Sequence, residues 1–136
     1  MNIALIAHDR KKELMVQFCI AYCGTFAGHS ICATATTGRL VSEATGLPIK
    51  LYLTAAQGGV QQIGSLIAYN ELDLVIFFRD PAYVETGSGN GTVTEIARLC
   101  DQYSVPFASN VATAEVLIQG LKRGDLDWRD IVNPKK

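Results

Sequence analysis

Leu53-Thr-Ala-Ala-Gln-Gly-Gly-Val-Gln-Gln-Ile-Gly64 is the stretch from which the rest of the chain is read. The apolar run Ile49 to Leu53 leads into it with strand character, and Gly58-Gly59 supplies a turn. From Val60 a helical pattern sets in, with Ile63, Leu66 and Ile67 on one face. Strand, glycine turn, helix start is the geometry that offers free backbone N–H groups to an anionic ligand. The first side chain after the two glycines is Val60, which can neither take nor give a proton. A backbone suited to binding therefore carries an inert side chain.

Working outward, the same alternation recurs. Residues 2–7 form a short apolar run, as expected of a strand buried on both faces, and His8-Asp9 stands at its end. Asp9 is placed to cap a helix over 10–22 with Leu14, Phe18 and Ala21 on one face. Residues 30–34 read as a second strand, followed by Ala35-Thr36-Thr37-Gly38 and a helix over 39–45. Strand 49–53 and helix 60–70 come next, then the most apolar strand, 72–78, which Arg79-Asp80-Pro81 stops. From Ala82 to Gly91 the composition is that of a flexible loop, and the Gly87-Ser-Gly-Asn-Gly91 run has the look of an engineered one. Helix 92–103 places Val93, Ile96, Ala97 and Cys100 inward; strand 105–109 and helix 112–122 follow, then a charged tail. Five short strands alternating with helices predict an α/β fold, a three-layer doubly wound sheet, mainly parallel, with all 136 residues in one domain.

In such sheets ligands collect at the carboxyl ends of the strands. Those ends carry His8-Asp9, Thr34 to Gly38, Thr54 to Val60, Arg79-Asp80 and Asn110. Thr34, Thr36 and Thr37 offer hydroxyls and amides to a phosphate or carboxylate, or simply cap their helix. Lys12, one turn beyond His8-Asp9, reaches the same anion or stays a solvated lysine. His8 is a candidate proton donor, because an unperturbed imidazole titrates near pH 6.5. Asp80, fixed between an apolar strand and Pro81, can act as a base or orient a neighbour. Glu85 and Glu95 read as solvent-exposed.

Composition excludes several classes. The net charge of −1 and pI near 6.1 leave no basic block for a nucleic-acid groove. Cys19, Cys23, Cys32 and Cys100 read as buried reduced thiols. No metal site is expected, since only His8 and His29 are available as partners. No signal peptide or membrane span is expected, so the location is read as cytoplasmic.

Five phrases, Ala4-Leu-Ile-Ala-His-Asp9, Ala33-Thr-Ala-Thr-Thr-Gly38, Gly58-Gly-Val-Gln-Gln-Ile-Gly64, Ile76-Phe-Phe-Arg-Asp-Pro81 and Asn110-Val-Ala-Thr-Ala114, occur in this order. With the tail Leu126-Asp-Trp-Arg-Asp-Ile131 they resemble methylglyoxal synthase over nearly the whole chain, in its Gram-positive bacterial form. The resemblance implies a cytosolic homohexamer that binds dihydroxyacetone phosphate, abstracts a proton beside the carbonyl and expels phosphate, with no cofactor. It carries functional expectations onto His8, Lys12, Thr34, Thr36, Thr37, Gly59 and Asp80, and Thr54 falls in the phosphate-gripping segment.

The departures from the family pattern fall at the ligand face. Val60 stands where the family's Gly-Gly-Asp-Gln-Gln has its catalytic aspartate, and Thr54-Ala55-Ala56 replaces Ser-Gly-Pro. Ala35 replaces a glycine against which a phosphate is expected to lie. The family's Pro-His-x-Pro-Asp segment, source of a polarising histidine and a further aspartate, is here the Ala82 to Gly91 loop. The expectation is a family scaffold with an altered pocket, repurposed by divergence or engineering, lined by Ala35, Ala55 and Val60. It binds or converts a less charged small molecule, with His8 or Asp80 moving protons. The competing expectations are a non-catalytic effector-binding module and a working synthase, a carbon–oxygen lyase.

Overall fold

The computed structural model describes residues 1–85 and 91–135. Its centre is a five-stranded sheet in the order β3-β2-β1-β4-β5, every neighbouring pair parallel. The strands are β1 (Asn2–Ala7), β2 (Ser30–Ala33), β3 (Ile49–Leu51), β4 (Leu74–Phe78) and β5 (Phe107–Ala108). Helices α1 (Lys12–Ala21), α2 (Cys23–Phe26), α3 (Ala35–Thr45), α4 (Gly59–Ala68), α5 (Val93–Tyr103), α6 (Val111–Arg123) and α7 (Trp128–Val132) complete the described residues. The doubly wound α/β architecture read from the alternation is the one observed.

Two apolar clusters explain why the sheet is covered on both faces. Side chains alternate along a strand, so Ile3 and Leu5 of β1 join one cluster and Ala4 and Ile6 join the other. β4 divides likewise, with Leu74, Ile76 and Phe78 in the first and Val75 and Phe77 in the second. Met15, Phe18 and Cys19 of α1, Val41 of α3 and Ile118 of α6 close the first cluster. Val60, Ile63 and Ile67 of α4 and Ile96 and Cys100 of α5 close the second.

Several local expectations are corrected. Asp9 caps nothing: it begins a 3-10 turn, Asp9–Lys11, and its carboxylate binds Lys12 instead. The buried face of α1 is Met15, Phe18 and Cys19, whereas Ala21 is exposed. Helix α3 begins at Ala35 rather than residue 39, so Thr36 and Thr37 belong to its first turn. Strands β2, β3, β4 and β5 are shorter than expected; past β3, the Leu53 N–H donates to the Gln62 side chain instead of a neighbouring strand. All four cysteines are free; burial raises the thiols of Cys19 and Cys100 to about 12 and that of Cys32 to about 11. No helix among the described residues is long and apolar enough to cross a membrane.

Candidate functional site

The strand order reverses between β1 and β4, and a crevice opens beyond the carboxyl ends of strands at such a point. There the chain forms a cavity of about 580 Å³. One wall is the exit of β1, where Ala7, His8, Asp9, Arg10 and Lys12 line the space. Opposite lie the start of α3 (Thr34 and Thr36), the turn before α4 (Thr54, Ala55 and Ala56) and Val60. Phe77 and Asp80 from the end of β4, with Tyr83, Glu85 and Gly91, close it.

His8 is held from several sides. Its Nδ1 accepts the Asp80 backbone N–H at 2.9 Å, so the proton of the neutral ring resides on Nε2. Tyr83 lies across the ring at a centroid distance of 4.5 Å and Phe77 meets it edge-on at 5.2 Å. Burial lowers its pKa below the ordinary 6.5, against the opposing pull of Glu85 and Asp80. The Asp80 carboxylate accepts the Ala82 N–H at 3.0 Å, and the Asp80 carbonyl accepts that of Tyr83. This tight turn is what aims the Asp80 N–H at the imidazole.

Lys12 donates to the Ala7 carbonyl at 3.0 Å and to Asp9 Oδ1 at 2.7 Å. An ammonium has three donors, so one remains for an occupant. The hydrogen bond from Lys12 holds the Asp9 carboxyl below its usual range. Of the first amides of α3, that of Ala35 donates to Leu53 O. Those of Thr36 and Thr37 have no acceptor among the described residues, as is usual at a helix start.

The glycine turn is built differently from expectation. The amides of Gln57 and Gly59 both donate to Thr54 O, and that of Gly58 donates to Ala55 O. The Gln57 side chain returns to the Thr54 N–H. The glycine amides are thus committed within the turn, and Gly59 is buried away from the cavity. A side chain at Gly59 would collide with the Leu53 carbonyl oxygen, so the position needs glycine for packing. Gly58 has φ 103°, the left-handed conformation that favours glycine.

Of the residues singled out in the sequence, His8, Lys12, Thr34, Thr36, Thr54, Ala55, Val60 and Asp80 share the cavity. Thr37, Gly59 and Ala35 do not line it. Thr37 is buried with its hydroxyl unpartnered, and Ala35 is packed beneath the start of its helix. Asn110 instead caps α6, accepting the Thr113 N–H at 3.0 Å. Glu85 is half-buried rather than exposed, and its Oε2 accepts the Val93 N–H at 2.8 Å. Sequence reasoning also missed Arg10, Phe77 and Tyr83 as cavity residues. Their only signal was proximity to strand ends. The flexible-loop expectation for 82–91 falls, at 86–90, outside the described residues. No group of three or more His, Cys, Asp or Glu is placed to hold a metal among the described residues.

Chemically, the cavity combines a neutral imidazole donor, three carboxylates, two permanent cations and an apolar patch. Asp9, Asp80 and Glu85 outweigh Arg10 and Lys12. Val60 borders the cavity but is only 2% exposed, packed in the apolar cluster with Ile63 and Ile67.

Comparison with known proteins gives consistent relatives. The MGS-like domain family matches residues 16–109. Methylglyoxal synthase from Caldicellulosiruptor saccharolyticus is 58% identical over 135 residues, covering 99% of this chain and 94% of that protein. The enzyme of the same name from Geobacillus thermodenitrificans is 52% identical, covering 98% of this chain and 91% of that one. A crystal structure of methylglyoxal synthase from Elizabethkingia anophelis matches with a TM-score of 0.78 at 38% identity, covering 86% of this chain and 76% of that one.

Proposed function

The chain belongs to the methylglyoxal synthase family, and from that premise we propose that it keeps the family's scaffold while its pocket serves a different, less charged small molecule. The observation that carries this reading is Val60, an apolar residue bordering the cavity, where the resemblance would put the family's aspartate base. Removing a proton from carbon beside a carbonyl needs a base and a donor for the developing oxyanion. A positioned base is worth about 10²–10⁴ in rate, and an oxyanion donor about 10²–10³. By the resemblance, both the base at residue 60 and the polarising histidine of the family's Pro-His-x-Pro-Asp segment are missing here; His8, with Nδ1 taken by the Asp80 N–H, offers a donor of its own through Nε2.

The balance of charge supports the same reading. A phosphate dianion entering this cavity meets three carboxylates and two cations, one of which, Lys12, is already paired with Asp9. Lys12, Thr36, Thr54 and the orphan amides of α3 retain part of an anion grip, enough for a single negative charge or a polar neutral group. In this reading His8 handles protons, Asp80 beside it either moves protons or orients the imidazole, the site needs no cofactor, and the protein assembles as a homo-oligomer, six copies by resemblance.

A working synthase is the competing reading, favoured by relatives of that name at 58% identity. Thermal shift separates the two, because a ligand selective for the folded state raises its stability. Small phosphate-free hydroxycarbonyl compounds are expected to raise the melting temperature at least as much as dihydroxyacetone phosphate does. A shift with phosphorylated compounds alone contradicts the proposal.

A further inference from the structure

Glu85 is the carboxylate of the cavity whose chemistry is still unused. One of its oxygens is anchored on the Val93 amide, and Val93 packs in the same apolar cluster as Val60. The anchored carboxylate is thereby tied to the side of the fold that holds the inert valine. Its other oxygen has no protein donor among the described residues. His8 is complementary to it: Nδ1 is occupied by Asp80, Nε2–H is the remaining donor, and the ring is wedged between Tyr83 and Phe77. Glu85 and His8 line the same cavity, and the charged groups around His8 are Glu85, Asp80, Lys12 and Arg79.

We propose, resting on the reading of the pocket just given, that Glu85 is the base and His8 the hydrogen-bond donor of a proton-transfer site for small, phosphate-free α-hydroxycarbonyl compounds. Glu85 takes the proton from the carbon bearing the hydroxyl. The electron pair of that C–H bond becomes the second bond of an enediol, while the carbonyl oxygen takes the Nε2 proton of His8. Glu85 then returns its proton to the former carbonyl carbon, and the other hydroxyl returns a proton to His8. The product is the isomeric α-hydroxycarbonyl; both side chains are restored and no co-reactant is consumed. Asp80 is the positioning residue, since its backbone N–H fixes the imidazole and its carboxylate fixes the turn.

The test is exchange of the C–H protons of dihydroxyacetone in D₂O, followed by proton NMR. The protein is expected to exchange them above the buffer rate. Glu85→Gln keeps an oxygen for the Val93 N–H, so its melting temperature is expected to stay unchanged while exchange falls about 10²–10⁴-fold. Removing that negative charge is also expected to move the ¹⁵N-detected titration of His8 downward, and Asp80→Asn to lose less exchange than Glu85→Gln. No exchange above buffer, equal exchange in wild type and Glu85→Gln, or a larger loss in Asp80→Asn overturns the assignment. Phosphate release from dihydroxyacetone phosphate, read in parallel, reports on the pocket reading separately.

Discussion

At residue 60 the proposed reading turns on the difference between a carboxylate and the two methyl groups of Val60. On the proposed reading, Val60→Asp puts an acid where the resemblance expects the family's base, in a buried position where desolvation raises its pKa and favours proton transfer near neutral pH. Phosphate release from dihydroxyacetone phosphate is expected to rise by about 10²-fold or more in that variant. No increase would mean that the anion grip, not the base, limits the reaction. His8 gives a second prediction. Burial depresses its pKa, so in ¹⁵N-detected NMR it should titrate below 6.5 and be neutral at pH 7. The sign follows: the unfolded chain binds the proton more readily, so protonation draws stability away as pH falls below about 6.5. The polar residues at strand ends were legible in the sequence. Glu85 was not, because only the turn through Asp80 and the anchor at Val93 bring it inward.

At the scale of elements, the turn between β3 and α4 shows what sequence patterns miss. Strand, glycines and helix were all legible from Leu53 to Gly64. The direction of the amides was not, because it depends on which carbonyls fold back, here Thr54 and Ala55. The glycine pair therefore serves packing. Gly59→Ala is expected to cost about 1–3 kcal/mol in urea unfolding, as overpacking against a backbone carbonyl does. A neutral result would show that the turn opens to admit the methyl group. The early start of α3 has a similar origin. Thr34, just past β2, is extended and its carbonyl accepts the Gly38 N–H, so the helix begins four residues ahead of its apolar pattern.

At the scale of the molecule, alternating apolar runs were enough to read a doubly wound sheet, since each strand has to feed two cores. The lock at the opposite end of the sheet was not legible. Asp73 (1% exposed) accepts from the Asn2 N–H and pairs with Arg129 (2% exposed) and Lys135, while Arg129 also donates to the Ser104 and Leu72 carbonyls. It fastens α7 and the tail to β1 and β4 from residues far apart in the chain. Burial alone would raise the Asp73 pKa, but the hydrogen bonds from Lys135, Asn2 and Arg129 outweigh it and hold the carboxyl below its usual range. Its contribution is then present above about pH 4 and is lost as pH falls further. Asp73→Ala, which leaves Arg129 buried and unpaired, is expected to cost about 3–5 kcal/mol and to flatten the acid limb of the stability profile. Unchanged acid sensitivity would assign that limb to other groups.

The central claim concerns chemistry rather than fold, and one rate addresses it. Phosphate release from dihydroxyacetone phosphate should be followed for this protein beside the Caldicellulosiruptor saccharolyticus enzyme under the same conditions. The account predicts a rate near the buffer background, at least 10²-fold below that relative. Turnover matching the relative would contradict it.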